Sequence, residues 1–371
     1  MKTFWLYFLL IPVSVTAQVN ISGTVTEAGT NKPIPYATIY INGTTNGTIT
    51  NVNGEFILED VVPPCEIVFS HISYSTEAFE LQEVSDTVFH IQLKPRDVEL
   101  GAVEVTDKNR REENLRHFRE QFLGTDDWGK NAYFENDSVL LFRHRKIAEG
   151  DSSFLSLQDD SPVDTGLYWF VVETKEPLVV NQPLLGYKIH INLVKYNELR
   201  RTNSDKYRIQ ILGYFFFQPL EGSLKRKTNR FQKNRAKAYY NSANHFCRSL
   251  YNNRLKENGY KVYYRSVNQK TGINEFKDFE FDDHIIYDDN QAKIVGLKNV
   301  RCNIDYFQLF NKPMNLNERE GGRQKYSSAK FLKDTCTIRA DGSRPDNSIL
   351  FSYSIGEKRV GAMLPYDYQP E

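Results

Sequence analysis

This chain of 371 residues has few cysteines, no net charge and, beyond its first 17 residues, no long hydrophobic run. Four cysteines are too few for a disulfide-rich scaffold, and none stands in a spacing typical of a zinc site. The 47 basic and 47 acidic side chains cancel, so no global field draws the chain toward nucleic acid. A membrane helix needs roughly 20 apolar residues in succession. We therefore expect no nucleic-acid partner and no transmembrane segment after residue 17.

The first residues are the exception, because residues 1–17 have the pattern of an export signal. Lys2 supplies the positive charge, and the apolar run that follows it is too short to span a bilayer comfortably. Val15 and Ala17 occupy the −3 and −1 positions of a cleavage site that precedes Gln18. The sequence therefore predicts that the chain is exported.

Residues 18–96 have the strand-and-turn pattern of a β-sandwich. Short runs such as "VNISGTVTE", "YATIYING" and "CEIVFSHISY" follow one another at close spacing. The stretch "NGTTNGTITNVNGEFIL" contains three Asn-Gly pairs, and tight hairpin turns prefer this pair because both residues tolerate positive φ. A calcium loop would need carboxylates where this stretch has Asn, Thr and Val. We interpret the pairs as turns and predict a positive-φ turn at Asn53 and Gly54.

This part of the chain resembles the carboxypeptidase-regulatory-like domain of exported Bacteroidetes proteins, a module that also precedes TonB-dependent receptors. Three motifs carry the resemblance: G-T-V at 23–25, P-I-P-Y-A-T-I at 33–39 and T-N-V-N-G-E-F at 50–56. Asn51 stands where the family usually has Asp, and either side chain supports the turn. The resemblance implies a transthyretin-like sandwich of about seven strands, a location in the periplasm or at the outer membrane, and no peptidase chemistry.

After a polar linker at 97–111, residues 112–371 predict a β-rich α+β domain, so that the whole chain is mainly β. Apolar side chains at helical spacing predict a short helix at 111–123 that ends before Gly124: Leu115, Phe118 and Phe122. Two later blocks, "REQFLGTDDWGKNA" and "EPLVVNQPLLGYKIHINLVKY", resemble a domain of unassigned activity found behind the same module. This second resemblance brings no catalytic residues.

One prominent amphipathic, basic helix is predicted at about 228–258. An apolar stripe at helical spacing marks its buried face: Ala236, Tyr239, Ala243, Phe246, Cys247 and Leu250. The surrounding stretch is strongly basic, whereas "NEFKDFEFDDHIIYDD" after it is acidic. The basic side chains either bind an anionic envelope partner or pair in part with this acidic stretch. The candidate residues for the partner are Lys225, Arg226, Lys227 and Arg230.

A single pattern in the sequence suggests metal chemistry. Residues 117–120, with His117 and Glu120 at the ends, spell the H-x-x-E zinc motif of metallocarboxypeptidases. Those enzymes also need a distant third ligand and a catalytic Glu in an α/β fold, and Phe118 already belongs to the apolar face of a predicted helix. We therefore expect no catalytic residue, no metal and no cofactor, and we predict that the protein is not an enzyme.

Three functional hypotheses follow from these patterns. The favoured one is a non-enzymatic cell-envelope protein that binds or scaffolds an envelope protein or a glycan. The second is a carbohydrate-binding accessory protein with an aromatic face that includes Tyr36 and Tyr40. The third is a hydrolase within residues 112–371 whose site the sequence does not reveal. The sequence also leaves open whether Cys302 and Cys336 form a disulfide.

Overall fold

A computed structural model describes residues 19–83, 88–96, 108–146, 167–201, 207–220, 225–267, 274–288, 291–309, 312–316 and 323–370. The export signal predicted at 1–17 and most of the linker predicted at 97–111 lie outside these residues. The fold is mainly β, as predicted. The described residues form three hydrophobic cores, which belong to an N-terminal sandwich, a middle sheet and a C-terminal domain.

Seven strands are described in the N-terminal sandwich: β1 Val19–Glu27, β2 Thr38–Ile41, β3 Gly47–Ile49, β4 Glu55–Val61, β5 Cys65–Ser70, β6 Glu77–Leu81 and β7 Val88–Leu93. They form a three-stranded sheet in the order β4-β1-β7 and a four-stranded sheet in the order β3-β2-β5-β6. Alternate side chains of the two sheets, among them Ile21, Phe56, Ile39 and Phe69, share one buried core. The predicted β-sandwich is therefore confirmed.

The Asn-Gly pairs of the sandwich differ in conformation. The positive φ predicted at Asn53 and Gly54 is found at Gly54, where it is +74°, and not at Asn53. A Cβ on Gly54 would lie 2.5 Å from the Val25 carbonyl oxygen, so both conformation and space favour glycine. Asn51 Oδ1 accepts hydrogen bonds from the backbone N–H groups of Asn53 and Glu55, as expected of a side chain that supports a turn. Gly47, in contrast, begins β3 and has no positive φ.

The middle sheet follows two helices: α1 Lys108–Leu123, α2 Asp127–Asn131, β8 Tyr133–Phe134, β9 Leu140–Lys146, β10 Leu167–Thr174, β11 Leu178–Gln182, β12 Tyr187–Arg201 and β13 Tyr207–Pro219. Its strand order is β8-β11-β12-β10-β9, with β13 on the other edge of β12. Phe118 and Phe122 of α1 are fully buried against this sheet, and Gly124 has a φ of +103° just after the helix. The helix predicted at 111–123 is confirmed.

The C-terminal domain contains α3 Lys225–Tyr239, α4 Ala243–Tyr251, β14 Tyr260–Val267, β15 Asn274–Asp278, β16 Ile285–Asp288, β17 Gln291–Val295, β18 Arg301–Leu309, β19 Lys312–Pro313, β20 Arg323–Phe331, β21 Thr335–Arg339, β22 Ile349–Ser352 and α5 Tyr353–Gly356. One sheet has the order β15-β14-β18-β20-β22, with β19 beside β18, and the other has the order β16-β17-β21. Among the described residues, no helix is both long enough and apolar enough to cross a membrane.

The single helix predicted at about 228–258 is wrong, because the structure divides this stretch into α3 and α4. Asn241 has a φ of +57°, which an α-helix does not allow, and the Ser242 hydroxyl accepts from the His245 N–H as the N-cap of α4. Helix α3 contributes Ala238 to the core of the middle sheet, whereas α4 contributes Phe246 to the C-terminal core. The amphipathic pattern thus belongs to two helices that pack on different cores.

The four cysteines of the chain lie in the described part, and all four are buried and free. Cys302 and Cys336, whose pairing the sequence left open, therefore do not form a disulfide. Burial raises the pKa of the Cys302 thiol to about 12, which makes this sulfur a poor nucleophile near neutral pH. These cysteines act as small apolar side chains of the core.

The sandwich is attached to the middle sheet through its four-stranded sheet. The Asn192 side-chain amide on β12 donates to the Tyr40 hydroxyl at 2.8 Å, and the Ser70 hydroxyl donates to Asn192 Oδ1 at 3.0 Å. The ring of Tyr40 lies 5.2 Å from that of Phe216 on β13. Backbone hydrogen bonds also join the loop at 42–46 to β13. Strand β2 is consequently buried on both of its faces.

The last described residues connect the sandwich to the C-terminal domain. The Tyr366 N–H donates to the Gly43 carbonyl at 2.7 Å, and the Asp367 carboxylate accepts from the Thr45 N–H at 3.0 Å. Arg248 on α4 donates to three backbone carbonyls within 2.9 Å, those of Asp341, Tyr366 and Tyr368. The three regions therefore meet at the loop that holds the first two Asn-Gly pairs.

Candidate functional site

The basic residues predicted to bind an anionic partner lie at the start of α3. Lys225, Arg226 and Lys227 form its first turn, and Arg230 follows one turn later. Arg230 is exposed, and its guanidinium carbon lies 5.9 Å from the centre of the Phe231 ring. Its guanidinium is therefore accessible to a partner, and the anionic partner itself stays a prediction.

Farther along, the basic stretch pairs with the acidic stretch that follows it. Lys256 Nζ lies 3.0 Å from Glu280 Oε1, and Lys261 Nζ lies 3.3 Å from Asp278 Oδ1. The Glu280 carboxylate raises the pKa of Lys256 by hydrogen bonding and by its charge. At these positions the second of the two interpretations of the basic stretch holds, and the charges are neutralised within the chain.

The two tyrosines predicted for an aromatic face lie in different environments. Tyr36 is 66% exposed, whereas Tyr40 is 1% exposed because the middle sheet covers it. Burial raises the pKa of the Tyr40 hydroxyl well above its usual range, and Asn192 donates a hydrogen bond to it. Tyr40 therefore belongs to no exposed face. The sequence pattern places a side chain on one side of a strand but does not show that another sheet covers that side.

The H-x-x-E pattern does not form a metal site in the described residues. His117 Nε2 lies 2.7 Å from Glu198 Oε2 on β12, while Glu120 is exposed. Glu198 is fully buried, and its second oxygen lies 3.0 Å from Arg200 Nε without the alignment of a hydrogen bond. Within the described ranges, no three His, Cys, Asp or Glu side chains are grouped to hold a metal ion.

A cleft of about 320 Å³ adjoins His117. Basic side chains dominate its walls, namely Arg110, Arg116, His144 and Arg200. A histidine oriented by a carboxylate can act as a general base, but the triads of serine and cysteine hydrolases also need a hydroxyl or thiol within reach. None of the described residues that line this cleft carries either group, and Glu113 is a lining carboxylate. The described lining therefore offers an oriented histidine without the nucleophile of such a triad.

A cavity with a volume of about 690 Å³ lies in the C-terminal domain. We call it the aromatic cleft. Tyr260 and Phe281 line it as buried rings, and Phe279 and Phe307 line it as partly exposed rings. The Phe279 ring lies 4.8 Å from Phe281 and is stacked 5.5 Å from His284, so packing fixes its orientation. The cleft thus offers ordered aromatic surface to a ligand.

Charged side chains surround these rings in nearly equal numbers. The three basic ones are Arg254, Lys256 and Lys261, and the four acidic ones are Glu257, Asp278, Glu280 and Asp282. Ion pairs hold Lys256, Lys261 and Arg254 against carboxylates at 3.0, 3.3 and 3.4 Å. Fixed donors and acceptors beside apolar surface are typical of sites that orient a small molecule.

The basic and the acidic stretch of the sequence form this cleft, but their charge patterns do not predict it. Both were judged by charge, whereas the cleft depends on the phenylalanines between the acids in "KDFEFDD". Residues 253–262 and 278–282 meet there with Phe307 and Leu316. The alternation of aromatic and acidic side chains was the available signal, and its meaning depends on contacts that are distant in sequence.

A second histidine, His245 on α4, lies in surroundings with no candidate site. It is 3% exposed, and the Tyr260 hydroxyl lies 2.8 Å from its Nδ1. The rings of Tyr239 and Tyr306 lie 5.0 and 5.9 Å away. Burial lowers the pKa of His245 to about 3, and the nearby Lys358 and Arg248 charges add to the effect. This imidazole is neutral at physiological pH.

The N-terminal region has a recognisable family. Residues 21–105 match the family model of the CarboxypepD_reg-like domain. This matched region covers the sandwich from Ile21 in β1 onward and ends before α1, so the match assigns no family to the middle sheet or the C-terminal domain. A comparison with curated proteins finds no match.

Three solved structures are distantly similar, each with a TM-score of 0.18. A "putative carbohydrate binding protein" from Bacteroides uniformis is 6% identical over 54% of this chain and 98% of its own. A "putative membrane-associated protein of unknown function" from Bacteroides fragilis is 12% identical over 55% and 99%. A 9R-lipoxygenase from Cyanothece is 11% identical over 65% and 47%. These scores are too low to show a shared fold.

Proposed function

We propose that this protein is a non-enzymatic binding protein of a bacterial cell envelope and that its ligand occupies the aromatic cleft. One observation carries the proposal: a cleft of about 690 Å³ that combines ordered aromatic rings with ion-paired donors and acceptors. Its volume lies in the range of pockets that bind small molecules. The export signal predicted at residues 1–17 supports a location in the periplasm or at the outer membrane.

A short neutral oligosaccharide is the ligand class that fits this cleft best. Sugars present C–H faces that pack on rings, and hydroxyl groups that both donate and accept hydrogen bonds. Phe279 and Phe307 offer the ring surface, and the Lys261–Asp278 pair offers a donor and an acceptor. Because basic and acidic side chains nearly cancel around the cleft, a charged ligand gains little from long-range attraction.

Isothermal titration of the chain from Gln18 to Glu371 with maltotriose, cellotriose and xylotriose tests this ligand class. We expect binding of at least one trisaccharide and a loss of about tenfold or more in affinity for Phe279→Ala, because a ring contact contributes roughly 1–3 kcal/mol. Phe276→Ala is the matched control. Phe276 is 65% exposed on β15 and does not line the cleft. Equal losses in the two variants would contradict the assignment.

The location has its own test, independent of the ligand. Cell fractionation followed by mass spectrometry should recover a chain that begins at Gln18, or next to it, in the envelope fraction. An intact Met1 in that fraction would refute signal cleavage. Pull-down from envelope extracts then distinguishes a scaffold with a protein partner from a glycan-binding protein.

The absence of enzymatic activity is also part of the proposal. Its support is the state of the H-x-x-E residues, since Glu198 already holds His117 and the adjoining cleft has no hydroxyl or thiol among its described lining residues. Peptidase and glycosidase screens of the purified chain should give no turnover. Turnover that is lost in His117→Gln would instead favour a hydrolase within residues 112–371.

A further inference from the structure

We propose that an anionic ligand binds where the three regions of the molecule meet, in a cavity of about 310 Å³ that we call the junction cavity. The sandwich contributes Asn42 and Glu66, the middle sheet contributes residues of β13, and the C-terminal domain contributes residues between Arg339 and Tyr366. The ligand is a small oxyanion, a phosphate or sulfate group. This site is separate from the aromatic cleft, and neither proposal depends on the other.

The charges of the lining residues favour an anion. Four cationic side chains face one carboxylate, that of Glu66, whose Oε2 accepts from the Asn42 amide at 2.6 Å. Glu80 neutralises Arg339 through an ion pair, and burial lowers the pKa of Lys358 to about 7. Arg344 and Arg359 against Glu66 therefore leave an excess of about one positive charge around a partly enclosed space, where an anion is attracted more strongly than in open water. The four cations are Arg339, Arg344, Lys358 and Arg359.

Two buried donors of the cavity wall lack an acceptor, which is the second observation. Arg339 is 8% exposed and pairs with Glu80 through Nη2, but its Nε has no hydrogen-bond partner in the described part of the chain. Ser343 is 5% exposed, and its hydroxyl likewise has none there. A buried donor without an acceptor is costly. Both side chains line the cavity, and a small shift of either one would bring its donor to an oxyanion bound there.

Two further cations are only weakly engaged by the protein. Arg344 Nη1 contacts the Cys247 sulfur, a weak acceptor, at 3.5 Å. The Arg359 carbonyl accepts from the Ala362 N–H, but its guanidinium, which lines the cavity, has no hydrogen bond or ion pair with a described residue. Lys358 differs, because its Nζ donates to the carbonyls of Ala238 and Tyr240 at the end of α3. The two arginines are therefore the side chains that a bound oxyanion would engage, and guanidinium groups suit its geometry.

The available space fits a phosphate or sulfate group with its hydration shell. A water molecule takes about 30 Å³ in the liquid, so the junction cavity holds about ten. A neighbouring cavity of about 170 Å³ shares Arg344, Lys358 and Arg359 with it. The oxyanion can accordingly be a free ion or the charged group of a small organic molecule that extends into the second cavity.

Isothermal titration with sulfate, inorganic phosphate and glucose 6-phosphate, each at ionic strength matched with chloride, tests the proposal. We expect one oxyanion to bind per chain. Tighter binding of glucose 6-phosphate than of phosphate assigns the site to an organic phosphate, and the reverse assigns it to the free ion. Millimolar concentrations keep the general stabilising effect of sulfate small.

Arg359→Gln is the decisive variant, because Arg359 has no partner in the described residues whose loss would unfold the chain. It should weaken binding at least about tenfold, since a charge-assisted hydrogen bond contributes roughly 1.5–3 kcal/mol. Arg359→Lys should keep part of the affinity. Arg301→Gln, which replaces an exposed arginine of β18 outside the cavity, should change nothing. Ser343→Ala provides a second, uncharged test of the same site.

Two results would overturn the proposal. One is the absence of any binding of the three oxyanions beyond that of chloride at the same ionic strength. The other is an equal loss of affinity in Arg359→Gln and Arg301→Gln, which would show that the anion responds to the surface charge of the protein rather than to this cavity.

Discussion

Two histidines of this protein each have one side-chain hydrogen-bonding partner within 2.8 Å, and their surroundings are otherwise opposite. His117 on α1 contacts the Glu198 carboxylate at 2.7 Å beside an open, basic cleft, and its side chain is 21% exposed. His245 on α4 contacts the Tyr260 hydroxyl at 2.8 Å, and aromatic rings enclose it. The first belongs to a sequence motif for zinc, whereas the second belongs to no motif.

The partner, and not the motif, decides what each imidazole can do. Nδ1 of His245 lies within reach of two donors, the Tyr260 hydroxyl and the Asn241 N–H at 3.2 Å, so this nitrogen is an acceptor and the ring is neutral. His117 instead faces an acceptor, the buried carboxylate of Glu198, and donates to it. His245 therefore holds a core together, while His117 compensates a buried charge. Three predictions test this difference.

The largest effect is expected from acid. Burial lowers the pKa of His245 to about 3, whereas an unfolded histidine titrates near 6.5. Between these values the unfolded chain binds a proton that the folded chain does not, so the contribution of His245 to stability is complete above about pH 6.5 and falls as the pH falls toward 3. The slope is about 1.4 kcal/mol per pH unit and the total about 5 kcal/mol.

Urea unfolding of the wild type and of His245→Phe at pH 7, 5.5 and 4.5 measures this contribution. The variant loses the Tyr260 hydrogen bond and is less stable at pH 7, but its stability should depend less on pH. His90→Phe is the control, since His90 is exposed on β7. A slope in His245→Phe as steep as that of the wild type would refute the assignment.

The next largest effect concerns the buried carboxylate. Glu198→Ala should lower the free energy of unfolding by about 3 kcal/mol, because it removes the buried acceptor of two hydrogen bonds, from His117 and from the Tyr196 hydroxyl. Glu173→Ala is the matched control, as Glu173 pairs with Arg143 at 3.3 Å on the surface and should contribute less than about 1 kcal/mol. Similar losses in the two variants, measured by urea unfolding, would mean that the burial of Glu198 does not increase its contribution to the free energy of unfolding.

The same contrast shows what the sequence could predict. Local signals gave the sandwich strands, the Gly54 turn and α1, because hairpin chemistry and helical periodicity depend on neighbouring residues. The break at Asn241 was missed, since the apolar stripe continues through it and only packing on two separate cores separates α3 from α4. The pairing of His117 with Glu198 joins residues 81 positions apart. No local pattern contains that contact.

The covering of Tyr40 and the aromatic cleft were missed for the same reason. Tyr40 alternates as an ordinary strand residue, and its burial depends on Asn192 and Phe216, which lie in another sheet. Phe279 and Phe307 approach one another only after β14 and β18 have paired. The candidate sites of this protein therefore form between residues that are distant in sequence, whereas its sequence motifs predict turns and the buried faces of helices.

The smallest expected effect completes the comparison and concerns the zinc motif itself. His117→Gln should lower the free energy of unfolding by about 1 kcal/mol, the typical contribution of a partly exposed hydrogen bond, because the glutamine amide can still donate to Glu198. We also predict that elemental analysis of the purified protein finds no stoichiometric zinc and that Glu120→Gln changes neither stability nor metal content, since Glu120 is exposed and Glu198 holds His117. Zinc that is bound at one equivalent and lost in His117→Gln would show that His117 is a zinc ligand despite its contact with Glu198. That result would refute the contrast between His117 and His245.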